Sequence, residues 1–417
     1  MNDMLTSFRR VPRTGVIFID TEARKRGYRR GAADWANLGQ GQPETGAIEG
    51  ISPRLQNIPL DIPDMEYASV EGLTELRDAI AQLYNARYRK GLPSQYSAEN
   101  VVISGGGRTS LTRALASVAK VNLGHFIPDY TAYEELLEIF GLFKAIPLQL
   151  DPAQDYTLDL HWMERTMRGM GLGALLMSNP HNPTGKVIMG GRLRDLVGLG
   201  RKYDCALLMD EFYSHYIWDV AYGTTVSAAQ YVEDVDKDPV LVVDGLTKNW
   251  RYPGLRLSWI LGPKTAVDAA GSAGSFIDGG AVRPVQRAAL GLMDPATVAS
   301  DAAALQKHFM AKRQIMLQGL QEMGVHVPNK PQGTFYVWGS LEELPADLRD
   351  CMAFFQAAME QKVLCVPGVF FDVNPGKRRT AQHSQYNQHI RFSFGPPLES
   401  VELGLSRLKA LVAQHRR

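Results

Sequence analysis

Lys248 follows an uninterrupted apolar run, Val240-Leu241-Val242-Val243, and a short Asp244-Gly245-Leu246-Thr247 segment. Arg256 comes after the intervening Asn249-Trp250-Arg251-Tyr252-Pro253-Gly254-Leu255. A hydrophobic strand thus delivers one lysine to a polar, glycine-containing turn. A primary amine placed there can form an imine with an aldehyde, and a guanidinium close behind it can hold a phosphate on the same molecule.

Four further groupings carry chemistry. Asn179-Pro180-His181-Asn182-Pro183-Thr184-Gly185-Lys186 follows an apolar run; alone, Asn-Pro with Thr-Gly marks only a tight turn. Met209-Asp210-Glu211-Phe212-Tyr213 places a carboxylate at the end of another run, where an aspartate that merely terminates a strand is the ordinary alternative. Ser104-Gly105-Gly106-Gly107-Arg108 joins a strand to a helix, and its glycines let backbone N–H groups approach an oxyanion at a helix N-terminus. Ile390-Arg391-Phe392-Ser393-Phe394 reads as a strand with apolar residues on one face and Arg391 and Ser393 on the other. Each has a bland explanation by itself. Their co-occurrence with Lys248 and Arg256 points to pyridoxal 5′-phosphate as cofactor.

The elements that must position these residues alternate along the chain. Val101 to Ile103 leads into a helix-like Thr109–Ala119 stretch, and His125 to Ile127 into one around Glu134–Phe140. Ala174 to Met177 precedes Arg192–Tyr203, which runs on to Cys205–Met209; Val240–Val243 and Leu257–Leu261 follow. Alternation of this kind predicts an α/β fold with a mostly parallel sheet, whose ligand sits beyond the carboxyl ends of the strands. A long helix is expected over Val298–Met323, then strands at Thr334–Trp338 and His389–Phe394 and helices from Arg349 and Ser400. The polar stretch 374–388 reads as a long loop, either a lid or plain surface chain.

At 417 residues the chain exceeds the ~250–300 at which one core stops growing, so two domains are expected. The division is 56–295 for a large cofactor-binding domain, with 1–55 and 296–417 forming a smaller α+β domain. A formal net charge of +1 gives no electrostatic reason to expect nucleic acid or an anionic membrane as partner. Three cysteines, Cys205, Cys351 and Cys365, argue against a disulfide framework and for a reducing, cytoplasmic setting; Cys205 is expected to be a buried thiol. Arg9-Arg10 is followed only by the apolar Val16–Ile19, too short for an export signal of ~7–15 residues. No apolar run approaches a membrane span, and no metal is expected.

Taken in order, the motifs resemble the class I/II aminotransferases among the fold-type I pyridoxal phosphate enzymes. The likeness runs from Asn37-Leu38-Gly39-Gln40-Gly41-Gln42-Pro43 through Tyr67, Gly72, Leu76 and Arg77, then Ser104–Leu111 and Pro128-Asp129-Tyr130 with Tyr133. It continues with Asn182-Pro183-Thr184-Gly185, Asp210 with Tyr213, Lys248 with Arg256, Gly333-Thr334-Phe335-Tyr336, Pro367-Gly368 and Arg391-Phe392. The resemblance implies a fold-type I architecture and a role for each residue. Lys248 would hold the cofactor aldehyde and then move the proton at the substrate Cα. Asp210 would pair with the pyridine nitrogen, Tyr213 and Asn182 would bond the ring 3-oxygen, and Tyr130 would stack on the ring. Gly106, Gly107, Arg108, Thr247 and Arg256 would hold the phosphate, with Tyr67 adding a hydroxyl from a partner subunit. Arg391 would take the substrate carboxylate, with Asn182 beside it and Gly41 leaving room for the substrate.

Some positions depart from the family's pattern. Gly245 stands where a phosphate-binding serine is frequent, and Gln40 where an apolar residue is common. His181 has no assigned role beyond packing. Arg283 lies where some relatives send a residue into the partner's site, and a dimer-interface arginine is the alternative. The expected activity is amino transfer from an L-amino acid to a 2-oxo acid by a ping-pong route in a homodimer with shared sites. A lyase, cyclase or oxidase acting on an L-amino acid is the alternative on the same fold. A regulator built on a cofactor-sensing domain is disfavoured, since no basic helix-turn-helix pattern appears ahead of Gly39.

Overall fold

The structure is a computed structural model that describes residues 11, 13, 15–328 and 330–416; Arg9-Arg10 lies outside the described residues. The strands, in chain order, are β1 (Ala36–Asn37), β2 (Val101–Ser104), β3 (Asn122–Ile127), β4 (Lys144–Gln149), β5 (Leu172–Ser178) and β6 (Ala206–Asp210). They continue with β7 (Val240–Gly245), β8 (Ser258–Leu261), β9 (Tyr336–Ser340), β10 (Val363–Leu364), β11 (Val366–Pro367) and β12 (His389–Ser393).

A seven-stranded sheet runs in the order β2-β8-β7-β6-β5-β3-β4. All its neighbours pair in parallel except β8, which is antiparallel to both β2 and β7. Strands β2, β7 and β8 are buried along their whole length, which is why they read as unbroken apolar runs. Helices Gly107–Ala116, Leu160–Met170 and Gly191–Tyr203 pack against the sheet.

β4 went unread in the sequence. It is one of the two edge strands, it is largely solvent-facing, and Pro147 interrupts its pattern, as an edge permits. Cys205 sits one residue ahead of β6, buried, with its thiol pushed up to about 12 by burial. The long helix begins earlier than the periodicity indicates, at Pro295. The Asp294 carboxylate caps it, accepting the Thr297 amide at 2.8 Å, and it ends at Met323 before Gly324 in the left-handed region.

Beyond that helix a three-stranded antiparallel sheet runs β11-β12-β9, with Arg391 opposite Trp338 and Val366. Thr334 is not part of β9, as the sequence suggested. It takes a left-handed conformation, with φ of 64°. Its carbonyl accepts Trp218 Nε1 at 2.9 Å and its amide donates to Tyr216 at 2.9 Å, so the strand starts only at Tyr336. β1 and β10 pair in parallel, bringing the Asn37–Pro43 segment against the C-terminal part of the chain.

Candidate active site

The polar motifs converge because parallel strands end on one side of the sheet. Gly106 follows β2, Tyr130 follows β3, Asn182 follows β5, Asp210 ends β6 and Lys248 follows β7. Arg391 reaches the same place from β12, and Gly41 from the segment after β1. A cavity of about 1300 Å³ is lined by Gly41, Gly107, Arg108, Tyr130, Asn182, Asp210, Tyr213, Thr247, Lys248, Arg256 and Arg391. Eleven of the thirteen residues singled out from the sequence therefore share one space. The other two are Gly106, which lies against the wall, and Tyr67, which is 95% exposed on its own chain.

Lys248 Nζ donates to the Gly41 carbonyl. Burial, followed by the Arg391 and Arg108 charges, depresses the lysine to about 7, while Asp210 pulls the other way. A substantial fraction of this amine is therefore neutral near pH 7, as a nucleophile and proton carrier requires.

Burial raises the Asp210 carboxyl to about 6 although Tyr133 donates a hydrogen bond to it at 2.8 Å. Such a buried carboxylate, with no guanidinium or ammonium bonded to it, is suited to a cationic partner. Tyr133 was not given this role from the sequence; its position three residues after Tyr130 is the only signal. The Tyr213 and Tyr336 hydroxyls lie 2.9 Å apart.

Arg391 is almost fully buried, so its half of β12 does not face solvent. Its Nη1 donates to Asn182 Oδ1 at 2.9 Å, and the guanidinium lies 3.8 Å from the centre of the Tyr336 ring. Nε and Nη2 have no hydrogen-bond partner among the described residues. A buried guanidinium held by Asn182 and the Tyr336 ring, with Nε and Nη2 left over, is built to receive a carboxylate.

At the other end of the cavity are the Arg108 and Arg256 guanidiniums. Partial desolvation and then the Arg108 charge hold Arg256 below its ordinary value. Gly106 has φ of 102°, and a Cβ there would run into the Arg256 guanidinium. The glycine thus clears the approach to the N-terminus of helix Gly107–Ala116. The Thr247 hydroxyl is buried and unpaired. A Cβ at Gly245 would lie 2.6 Å from the Leu257 carbonyl oxygen, so a serine does not fit there without a shift of the backbone.

Cationic cradle, free hydroxyl, buried carboxylate and depressed lysine match a ligand with a phosphate at one end and a basic ring nitrogen and aldehyde elsewhere. Pyridoxal phosphate fits this donor set.

Arg283 lies outside the cavity of its own chain, 3.9 Å from Asp64, which Arg287 also engages. Loop 374–388 contributes no residue to the cavity lining. It is tied down by Lys377 and the Asn374 amide to Glu134, and by the buried Tyr386, whose hydroxyl accepts Gln149 at 2.7 Å.

A family model for aminotransferase class I and II matches residues 33–408. An aspartate aminotransferase of Sulfolobus acidocaldarius is 25% identical over 388 residues, covering 91% of this chain and 90% of the relative. A valine–pyruvate aminotransferase of Mycobacterium tuberculosis is 26% identical over 384 residues, covering 90% of each. Among solved structures, the aspartate aminotransferase from Thermus thermophilus with maleate superposes with a TM-score of 0.77 at 21% identity, covering 96% of this chain and 97% of that one.

Proposed function

We propose that this chain, which belongs to the aminotransferase class I and II family, moves an amino group from an L-amino acid to a 2-oxo acid in two half-reactions at the cavity around Lys248. Pyridoxal 5′-phosphate, when bound, supplies an aldehyde that condenses with amines and a ring that accepts the electron pair released at the substrate Cα.

The chain's own groups divide the remaining work. Lys248 Nζ anchors the cofactor, then takes the proton from the substrate Cα and returns it; its value of about 7 suits both directions. Asp210 holds a proton on the ring nitrogen, and Tyr133 orients the carboxylate for it. Tyr213 and Asn182 bond the ring oxygen, and Tyr130 covers a ring face. Gly106, Gly107, Arg108, Thr247 and Arg256 hold the phosphate. Arg391, steadied by Asn182 and the Tyr336 ring, turns its two unpaired donors to the substrate carboxylate, and Gly41 leaves space beside it.

The observation that carries this reading is the pairing, in one cavity, of a depressed buried lysine with a buried arginine whose Nε and Nη2 are free.

Two copies of the chain complete each other's sites in this reading. Tyr67 is 95% exposed, near exposed Leu60, Ile62 and Met65, which suits a residue that works in a neighbour's cavity. Three free, buried cysteines suit a reducing compartment such as the cytoplasm. The relatives named above are called after different donors, aspartate and valine, so the donor is a matter for measurement.

The test is a single-turnover absorbance experiment on cofactor-loaded protein with a panel of L-amino acids and no acceptor. Amino transfer predicts a lasting change in the cofactor's visible absorbance with one equivalent of oxo acid per site. Regeneration of the starting spectrum with accumulating ammonia, peroxide or rearranged amine would replace this reading with a lyase, oxidase or cyclase.

A further inference from the structure

His181 and Asp129 stand immediately before two residues that face the cavity, Asn182 and Tyr130. Both are buried, at 6% and 0% exposure, and neither lines the cavity itself. His181 Nε2 lies 3.7 Å from Asp129 Oδ1, and Nε2 and Asp129 Oδ2 have no hydrogen-bond partner. On its other side, His181 Nδ1 is 2.7 Å from Thr184 Oγ1. A threonine hydroxyl donating to Nδ1 leaves the ring proton on Nε2, aimed at Asp129.

Asp129 Oδ1 is also a junction. It accepts the Tyr130 amide at 2.7 Å and the Ser178 hydroxyl at 3.2 Å, and Ser178 Oγ accepts the Asn182 amide at 3.1 Å. One carboxylate oxygen therefore holds the loop carrying Tyr130 and the loop carrying Asn182, and Asn182 in turn grips Arg391.

We propose that His181 and Asp129 form a positioning pair that locks these two loops together, setting the Tyr130 ring for the cofactor and the Asn182 amide for Arg391 and substrate. The proposal rests on the cofactor reading above. Burial drives the Asp129 carboxyl upward, and His181 is the foremost of the groups opposing that drive. Without His181 the buried carboxylate would lose the one side-chain N–H aimed at it and keep only the Tyr130 amide and the Ser178 hydroxyl, both on the same oxygen. Neither residue touches the space where substrate would sit, so the pair acts through Tyr130 and Asn182.

The experiment compares full-length wild type, His181→Phe and His181→Gln. Glutamine keeps an N–H that can point at Asp129; phenylalanine keeps volume but no donor. The readouts are the dissociation constant for pyridoxal phosphate from fluorescence quenching of apoprotein, the donor KM, and the melting temperature of the apoprotein. His181→Phe should raise both constants about tenfold, through displacement of Tyr130 and Asn182 from their places at the cavity. His181→Gln should stay within about threefold of wild type, with the two variants melting alike. His181→Phe within about twofold of wild type, or His181→Gln as impaired as His181→Phe, overturns the proposal.

Should His181→Phe fail to fold, Ser178→Ala cuts the link from Asp129 to Asn182 without touching the imidazole. A severalfold higher donor KM is then expected, and an unchanged one is decisive against. If wild type binds no pyridoxal phosphate at all, the cofactor reading falls and this proposal with it. If wild type binds and the variants bind equally, the proposal alone falls.

Discussion

The ends of β6 and β7 present two polar regions, one facing the cavity and one behind it. In front, Lys248, Arg391 and Thr247 hold charge or hydrogen-bonding capacity that the protein leaves unmet. Behind, Asn249 Nδ2 donates to both oxygens of Asp244 at 2.9 and 3.0 Å and to Ser214 Oγ at 2.9 Å, while Asn249 Oδ1 accepts the His215 amide. Burial pushes Glu211 to about 8 and drives Asp244 upward too, so the interior opposes charge on both acids. One step along the chain, from Lys248 to Asn249, passes from a group kept available to a group kept occupied. Unmet capacity on a cavity marks ligand chemistry; behind it, the Glu211 Oε2 atom apart, met capacity marks the scaffold.

Substitutions in front should abolish chemistry and spare the fold. Lys248→Ala is expected to have the largest effect, lowering the single-turnover rate at least ~10³-fold through loss of both the anchoring amine and the proton carrier. Its apoprotein should melt at or above the wild-type temperature, because a poorly solvated amine has been removed. Next comes Arg391→Lys, which keeps a charge but cannot present two parallel donors. A loss of about 100-fold in donor kcat/KM is expected from one or two charged hydrogen bonds. Steady-state kinetics across several donors checks it, and an effect confined to one donor would show that Arg391 reads the side chain instead of the carboxylate.

Behind the lysine the pattern should reverse. Asn249→Ala strands Asp244 and Ser214, each costing about 1–3 kcal/mol when a buried partner is lost. Urea unfolding of the apoprotein should show that loss, with donor KM within about twofold of wild type. A variant that kept its stability but lost donor affinity would mean that Asn249 belongs to the front after all.

The front was the legible half. Lysine, arginine and aspartate at the ends of apolar runs are visible because such runs deliver their next polar residue to the ligand side of a parallel sheet. Arg391 was readable by alternation, but its burial was not, since the Tyr336 ring that covers it comes from another strand. The back was not legible. Glu211, Asp244 and Asn249 look like ordinary turn residues, and their shared burial depends on which strands are neighbours. The edge strand β4 was missed for the related reason that half-exposed strands lose the apolar signature. Tyr133 and the Asp129–His181 contact join loops after different strands, which no local pattern encodes.

Last, the sign of a pH dependence separates Glu211 behind the lysine from Lys248 itself. Glu211 titrates near 8 in the folded chain, against an ordinary value of 4.5. A carboxyl raised on folding binds its proton more tightly in the folded state, so its contribution is fully present below pH 4.5 and is lost as pH climbs to about 8. Lys248, lowered to about 7 from 10.5, has the opposite sign and adds stability only as pH climbs above 7. Glu211→Gln removes the first dependence and leaves the second. The stability difference, variant minus wild type, should therefore grow as pH rises from 5 to 8, by at most about 1.4 kcal/mol per unit. Urea midpoints of the two apoproteins at pH 5, 6, 7 and 8 give this difference directly. A difference independent of pH would mean that Glu211 is already ionised in the fold, with a cation or water meeting its free oxygen, and that the region behind the lysine is charged like the one in front.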